Sequence, residues 1–369
     1  MISDPFSHSL PPWIDSPDME NGADSITLMT SVKIRRNIDG FAFPGRCGKS
    51  DLYDSAAQAL GSIGHSGGWD DCDFRMIDNL DGASRNLLLE TMVITPLLSQ
   101  GGPGRFLMRG AEADVACMIN EEDHVSMAVS RPGLDARSAL DKAEDLEDAI
   151  DISFARDSVL GYLTANPSYV GTGTTASVLL HLPALDVLEE MPGVCDSFVR
   201  DWKKLALRSL YSGKGEEGGS FYMLSNRVTL AASSDEITSW VSDAAQSLVS
   251  KELFARHKIR ASRDGEMDDK FWRAWGVLRH ARKLSFDEAQ KLLSLVKLGS
   301  DMGILPHIYN REWKKMVLNV HKYHLTLSGR GIIRENSEEA RMRAARLRQF
   351  MEKKSSSGVQ DSPDRDKEL

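Results

Sequence analysis

Val115-Ala116-Cys117-Met118-Ile119 runs straight into Asn120-Glu121-Glu122-Asp123-His124, and after Val125 comes Ser126. An apolar run followed at once by an acidic pentad describes a strand that ends in a charged turn. Taken alone, such a turn is a solvated acidic corner. The chain on either side decides whether Glu121 and Glu122 are more than that.

Upstream, Ile26 and Leu28 alternate with polar neighbours before Val32 and Ile34, a strand pattern entering a basic stretch at Lys33, Arg35 and Arg36. Residues 87–98 have helical spacing until Pro96 limits them. Downstream, Leu140, Ala143, Leu146 and Ile150 share one helix face, with Asp141, Glu144, Asp145 and Glu147 on the other. A glycine-rich turn at Gly171 and Gly173 leads to a strand over 176–182 ended by Pro183, and 221–224 and 228–232 read as further strands. A helix over about 234–256 follows, with Ser233 or Ser234 as its cap.

After Gly265 the pattern is wholly helical. Phe271, Trp272, Trp275 and Leu278 form a stripe, and Ser285 with Glu288 is a capping box. A last helix puts Ala340, Ala344, Leu347 and Met351 on one face and Arg341, Arg343, Arg346 and Arg348 on a solvated basic face. These signals divide the chain into a surface segment (1–24), an α/β domain (25–260), a helical domain (261–352) and a disordered tail (353–369).

At 369 residues the chain buries a full core. Its net charge of -9 argues against generic nucleic-acid or anionic-membrane binding, since both partners meet like charge over most of the surface. Cys47, Cys72, Cys117 and Cys195 form no CxxC pair, so neither a zinc site nor a disulfide framework is expected. No basic region precedes an apolar stretch at the N-terminus, and the expected location is the cytoplasm.

Six segments in order, 11–13, 25–37, 118–124, 161–183, 224–230 and 293–305, resemble the bacterial protein-arginine kinase branch of the ATP:guanidino phosphotransferases, the phosphagen kinases. The most specific is Gly161-Tyr162-Leu163-Thr164 leading through Gly171-Thr172-Gly173 to Ala176-Ser177-Val178. The resemblance implies an α/β (α+β) fold with a mainly antiparallel sheet flanked by helices, and a C-terminal helical domain that reads phosphoarginine. It also implies magnesium-ATP as co-substrate and protein arginine side chains as phosphate acceptors.

That reaction needs fixed positive charge around a loose triphosphate transition state and a carboxylate to orient and deprotonate the guanidinium. Carried over by position, the resemblance makes Glu122 the catalytic carboxylate, with Glu121 beside it. Two phosphate-gripping arginines fall on Ser31 and Lys33; sliding that block by two residues would place them on Lys33 and Arg35 instead. The arginine after the pentad is Ser126, the one before Ala-Ser-Val is Thr175, and a nucleotide-holding histidine is Met92. Arg208 survives, while the glycine and glutamate expected after it give way to Ser212 and Gly213, and Lys214 beyond is a candidate replacement charge. Of the phosphoarginine-reading motif, Arg343 and Ala344 match.

Framework blocks are thus kept while charge-bearing positions are lost. The leading expectation is a weakened or inactive protein-arginine kinase copy that binds a protein substrate or partner, as a homodimer or together with an active kinase. Two alternatives stand beside it: an active kinase with a rearranged phosphate site using Lys33, Arg208, Lys214 and Glu122, and an interaction module that holds no nucleotide.

Overall fold

The computed structural model describes residues 11–14, 25–64, 69, 72–110, 114–210, 218–262, 265–327 and 336–357. The sequence places Gly213, Lys214, most of the 1–24 segment and residues 358–369 of the tail outside them.

An eight-stranded antiparallel sheet organises the catalytic-type part. Its strands are β1 (Thr27–Arg36), β2 (Cys72–Met76), β3 (Phe106–Gly110), β4 (Val115–Ile119), β5 (Val125–Pro132), β8 (Thr174–His181), β9 (Leu205–Ser209) and β10 (Phe221–Asn226). They lie in the order β2-β3-β4-β5-β1-β8-β10-β9, and β6 (Arg156–Asp157) with β7 (Gly161–Tyr162) forms a separate pair. Side chains alternate between the faces of a strand, so the registers sort them. Val32 faces Val129 and Ala176, and Ile34 faces Met127 and Thr174, which puts an apolar row against helices α4 (Ala136–Asp148) and α7 (Ser234–Ala261). The opposite face carries Ser31, Lys33 and Arg35.

Three sequence expectations change in detail. Residues 228–232 form a loop, where Ala231 adopts a positive φ of 58°, and the strand ends at Asn226. The helix expected over 87–98 is two helices, α2 (Gly82–Glu90) and α3 (Pro96–Ser99). Pro96 starts the second rather than ending the first: it sits in its first turn, where its missing N–H costs nothing, and the Thr95 side chain caps that turn. The last helix runs to Ser357, past residue 352 where the sequence pattern ends the helical domain.

The helical part comprises α8 (Glu266–His280), α9 (Phe286–Asp301), α10 (Asn310–Asn319), α11 (Lys322–Leu327) and α12 (Asn336–Ser357). The Ser285 cap forms as expected, accepting from the Glu288 N–H at 3.1 Å. This part shares one core with the sheet: Trp313 on α10 is fully buried, its ring centroid 4.5 Å from that of His181 on β8. A polar cluster joins the two parts. Glu252 on α7 accepts the Ala184 and Leu185 N–H groups of the short helix α5 (Pro183–Val187), and Arg256 bonds Glu252 at 3.0 Å and Asp301 on α9 at 3.4 Å. Asp301 in turn holds buried Lys297 at 2.6 Å.

Candidate active site

The acidic pentad is the turn between β4 and β5, and three of its members build the turn. Asn120 takes a positive φ of 52° and donates to the Leu52 and Gly104 carbonyls. Asp123, fully buried, accepts from Asn37 and from the Ala165 N–H, both at 2.6 Å. His124, also fully buried, accepts the Ile38 N–H on Nδ1 and donates its own backbone N–H to Asn37. Burial raises the Asp123 carboxyl and holds the His124 imidazole down at about 4. With Asn120, Asp123 and His124 bound into the fold, Glu121 and Glu122 are the two members left for a ligand.

Both line a cavity of about 440 Å³, together with Pro44, Leu97, Arg105 and Ala165. Thr95 donates its hydroxyl to Glu121, while half-buried Glu122 has no hydrogen bond or ion pair with any described residue. Arg105 is fixed by the carbonyls of Asn120, Leu97 and Gly101, at 2.8 to 3.1 Å. The sequence reading missed Thr95 and Arg105. The signal for Thr95 was its place directly before Pro96, a capping position.

The phosphate-side positions come together on the free face of β1 and its neighbours. Ser126 faces Arg35 and Thr175 faces Lys33 across the ladders. Arg35 turns its guanidinium to Thr175, donating to its hydroxyl at 2.7 Å, and stacks 3.9 Å over Tyr169. Ser126 is fully buried and its hydroxyl has no partner among the described residues. Ser31 pairs with Ser130 at 3.3 Å. Arg36, by contrast, is a framework residue: it binds Glu147 and the Thr172 carbonyl and lies 3.5 Å over Tyr162. The Gly-Thr-Gly turn is framework too, because a Cβ on Gly173 would stand 2.6 Å from the Arg35 carbonyl.

Lys33 and Ser31 line a second cavity with Met92 and Pro11, and it measures only about 80 Å³. Burial in that wall lowers the Lys33 ammonium to about 8, against the pull of Glu121, and Lys33 makes no ion pair with a described residue. Arg208 is exposed on the far edge strand, three strands from β1, or about 14 Å at the usual strand spacing. The fold therefore gathers Ser31, Lys33, Arg35, Met92, Ser126 and Thr175 and leaves Arg208 apart. Arg343 is buried in the helical part, donating to the Val320 and Leu284 carbonyls and to Glu339, and Ala344 packs beside it in the core. The solvated basic face expected for α12 thus lacks Arg343, which the Val320 and Leu284 carbonyls draw inward.

The depressed His124 value gives a first prediction. Its folded value, about 4, lies below the ordinary 6.5, so between the two the unfolded chain binds more protons than the folded one. The contribution is complete above pH 6.5 and is lost as the pH falls towards 4, amounting to about 3 kcal/mol. Chemical denaturation at a series of pH values should show this loss, and the His124→Gln variant should lack that segment of the slope.

Among the described residues no group of three or more His, Cys, Asp or Glu is placed to hold a metal ion, and no helix is long and apolar enough to cross a membrane. Cys47, Cys72, Cys117 and Cys195 form no disulfide with one another.

Comparison with known proteins places this geometry. The family described as ATP:guanido phosphotransferase, C-terminal catalytic domain, matches residues 57–255, and the protein-arginine kinase McsB C-terminal domain matches residues 264–362. The chain is 30% identical to the protein-arginine kinase of Syntrophomonas wolfei, over 87% of this chain and 89% of that one. It is 29% identical to the protein-arginine kinase of Halothermothrix orenii, over 88% and 92%. Among solved structures, the duplicated taurocyamine kinase of Schistosoma mansoni superposes with a TM-score of 0.56 at 19% identity, over 71% of this chain and 38% of that one. Lombricine kinase superposes with a TM-score of 0.53 at 17% identity, over 71% and 73%.

Proposed function

The chain belongs to the ATP:guanido phosphotransferases, as a protein-arginine kinase-like member, and on that premise we propose that it binds arginine side chains of a protein partner while phosphorylating them weakly or not at all. It acts as a regulatory, binding copy of the kinase. The contrast between the two cavities carries this reading. The side that meets a guanidinium keeps its glutamates and about 440 Å³ of room, whereas the cavity that described residues form against Ser31, Lys33 and Met92 holds about 80 Å³, well under the roughly 300 Å³ at which small-molecule pockets begin.

The donor set on that side does not fit a magnesium triphosphate. Lys33 is a point charge without arginine's planar fork, and Arg35 is engaged by Thr175 and Tyr169. Where the resemblance expects an arginine to grip phosphate, Ser126 has a buried hydroxyl without a partner among the described residues. Lys33 and Arg208, which a rearranged phosphate site would use together, stand three strands apart, and Lys214 lies outside the described residues.

The test is calorimetric. An arginine-containing peptide is expected to bind saturably, its lysine counterpart is not, and Glu122→Gln should weaken binding about tenfold or more, the worth of a hydrogen bond to a charged group. Magnesium-ATP should give no saturable heat. Equal binding of the arginine peptide by Glu122→Gln would remove Glu122 from the site. Tight ATP binding with phosphoarginine formation would overturn the inactive reading.

A further inference from the structure

The turn of the β6–β7 hairpin carries two exposed aliphatic side chains, Val159 at 86% and Leu160 at 43%. Asp157 fixes that turn by accepting the Val159 and Leu160 N–H groups at 2.8 and 2.9 Å. A third exposed side chain, Leu230 at 46%, comes from the 228–232 loop. Backbone bonds tie hairpin and loop together through one segment. Tyr162 and Gly171 each donate an N–H to the other's carbonyl, at 2.8 and 3.1 Å, and Thr172 donates to the Thr229 carbonyl at 3.3 Å. A Cβ on Gly171 would stand 2.9 Å from the Leu230 Cα, so the loop lies directly against that segment. An isolated exposed aliphatic residue is ordinary. Three gathered from two hydrogen-bonded turns form a pre-ordered apolar patch, the kind of surface that marks contact with another molecule.

Its place in the fold points to that molecule. The patch stands at the end of the sheet where the pentad turns, since Arg36 pairs with Val125 there and Asn226 donates to the Thr174 carbonyl. Beyond β7 the chain passes Leu163, whose carbonyl accepts from Asn37 at 3.1 Å, and reaches Ala165 in the wall of the larger cavity, its N–H held by Asp123. Val159 is six residues from Ala165 and so at most about 20 Å away. An extended polypeptide covers that distance in about six residues. We infer that the patch binds an aliphatic side chain of the partner polypeptide, within about six residues of the arginine that Glu122 receives; this rests on the arginine site proposed above. Glutamates meet every guanidinium alike, whereas the patch discriminates among arginines by their neighbours. With the Val159 and Leu160 N–H groups bound to Asp157, these two residues offer the partner their side chains rather than backbone donors.

A calorimetric peptide scan with the full chain tests this. The probes are Gly/Ser peptides with one central arginine, alone or with a single leucine moved outward position by position on either side. Leucine is expected to raise affinity about tenfold at one position or at adjacent positions on one side, the worth of partly burying that side chain. Val159→Ser/Leu230→Ser should erase the gain, so that peptides with and without leucine bind alike, whereas Glu122→Gln should weaken both. A flat leucine scan, with arginine still preferred to lysine, overturns the patch and leaves the arginine site standing. A gain untouched by Val159→Ser/Leu230→Ser overturns it too. If no arginine peptide binds, with leucine or without, the arginine site fails and the patch assignment falls with it. A double variant that changes sedimentation but not the scan assigns the patch to a second copy of the chain and also overturns the inference.

Discussion

Supplied with magnesium-ATP and an arginine-bearing protein, the full chain is expected to form phosphoarginine at least about 10³-fold more slowly than its 30%-identical relative from Syntrophomonas wolfei. One arginine acting on a transferring phosphoryl group is worth about 10³ to 10⁵ in rate. At the three positions where the resemblance implies such arginines this chain carries hydroxyls, Ser31, Ser126 and Thr175, and on that reading a thousandfold is the lower bound. Lys33 does not make good the loss: it supplies charge at one point, and burial leaves it half neutral near pH 8. Acid-labile phosphate counted on the protein substrate, with phosphoarginine identified by mass spectrometry, measures the rate. Parity with the relative within tenfold would end the inactive reading. The variant Ser31→Arg/Ser126→Arg/Thr175→Arg should regain rate only with Arg35→Ala added, because Arg35 now occupies the space beside Thr175.

Arg256→Ala is expected to destabilise the chain by about 3 to 5 kcal/mol, the usual effect of stripping one partner from a buried ion pair. Glu252 is fully buried, and burial already raises its carboxyl against the pull of Arg256. Without Arg256 it keeps only the Ala184 and Leu185 N–H groups. Asp301 would lose one of its two cations, so the contact between α7 and α9 should loosen first. Denaturant unfolding followed by Trp fluorescence checks the size, and Trp313 near His181 reports on that junction. The double variant Arg256→Met/Glu252→Gln should cost distinctly less, since it leaves no unpaired buried charge. Equal losses in the single and double variants would show that shape, rather than charge, holds the junction.

Most of the architecture was legible from local pattern. The alternation around Val32 and Ile34, the caps at Ser233 and Ser285 and the α12 stripe through Ala344, Leu347 and Met351 all depend on residues within a turn or two of each other. What failed did so where a neighbour far along the chain decides. Residues 228–232 have strand composition, but Thr229 is bound by its hydroxyl to the Ser168 and Val170 carbonyls, which holds the segment as a loop. Arg343 sits at a polar position of its helix, yet the Val320 and Leu284 carbonyls draw it inward.

For the site, the sequence by itself determined the residue types, glutamates at 121 and 122 and hydroxyls at 31, 126 and 175, and the resemblance implies that the first pair is kept and that the other three stand where arginines are expected. Composition at a position is a one-dimensional fact and survives without coordinates. Only the tertiary structure decided what each charge does, because electrostatic work depends on distance and burial. It separated the pentad into three turn-building residues and two that face a cavity. It also turned Arg35 onto Thr175 and set Ser31 and Lys33 in the wall of a small pocket with Met92 and Pro11, contacts made between strands and segments far apart in the chain.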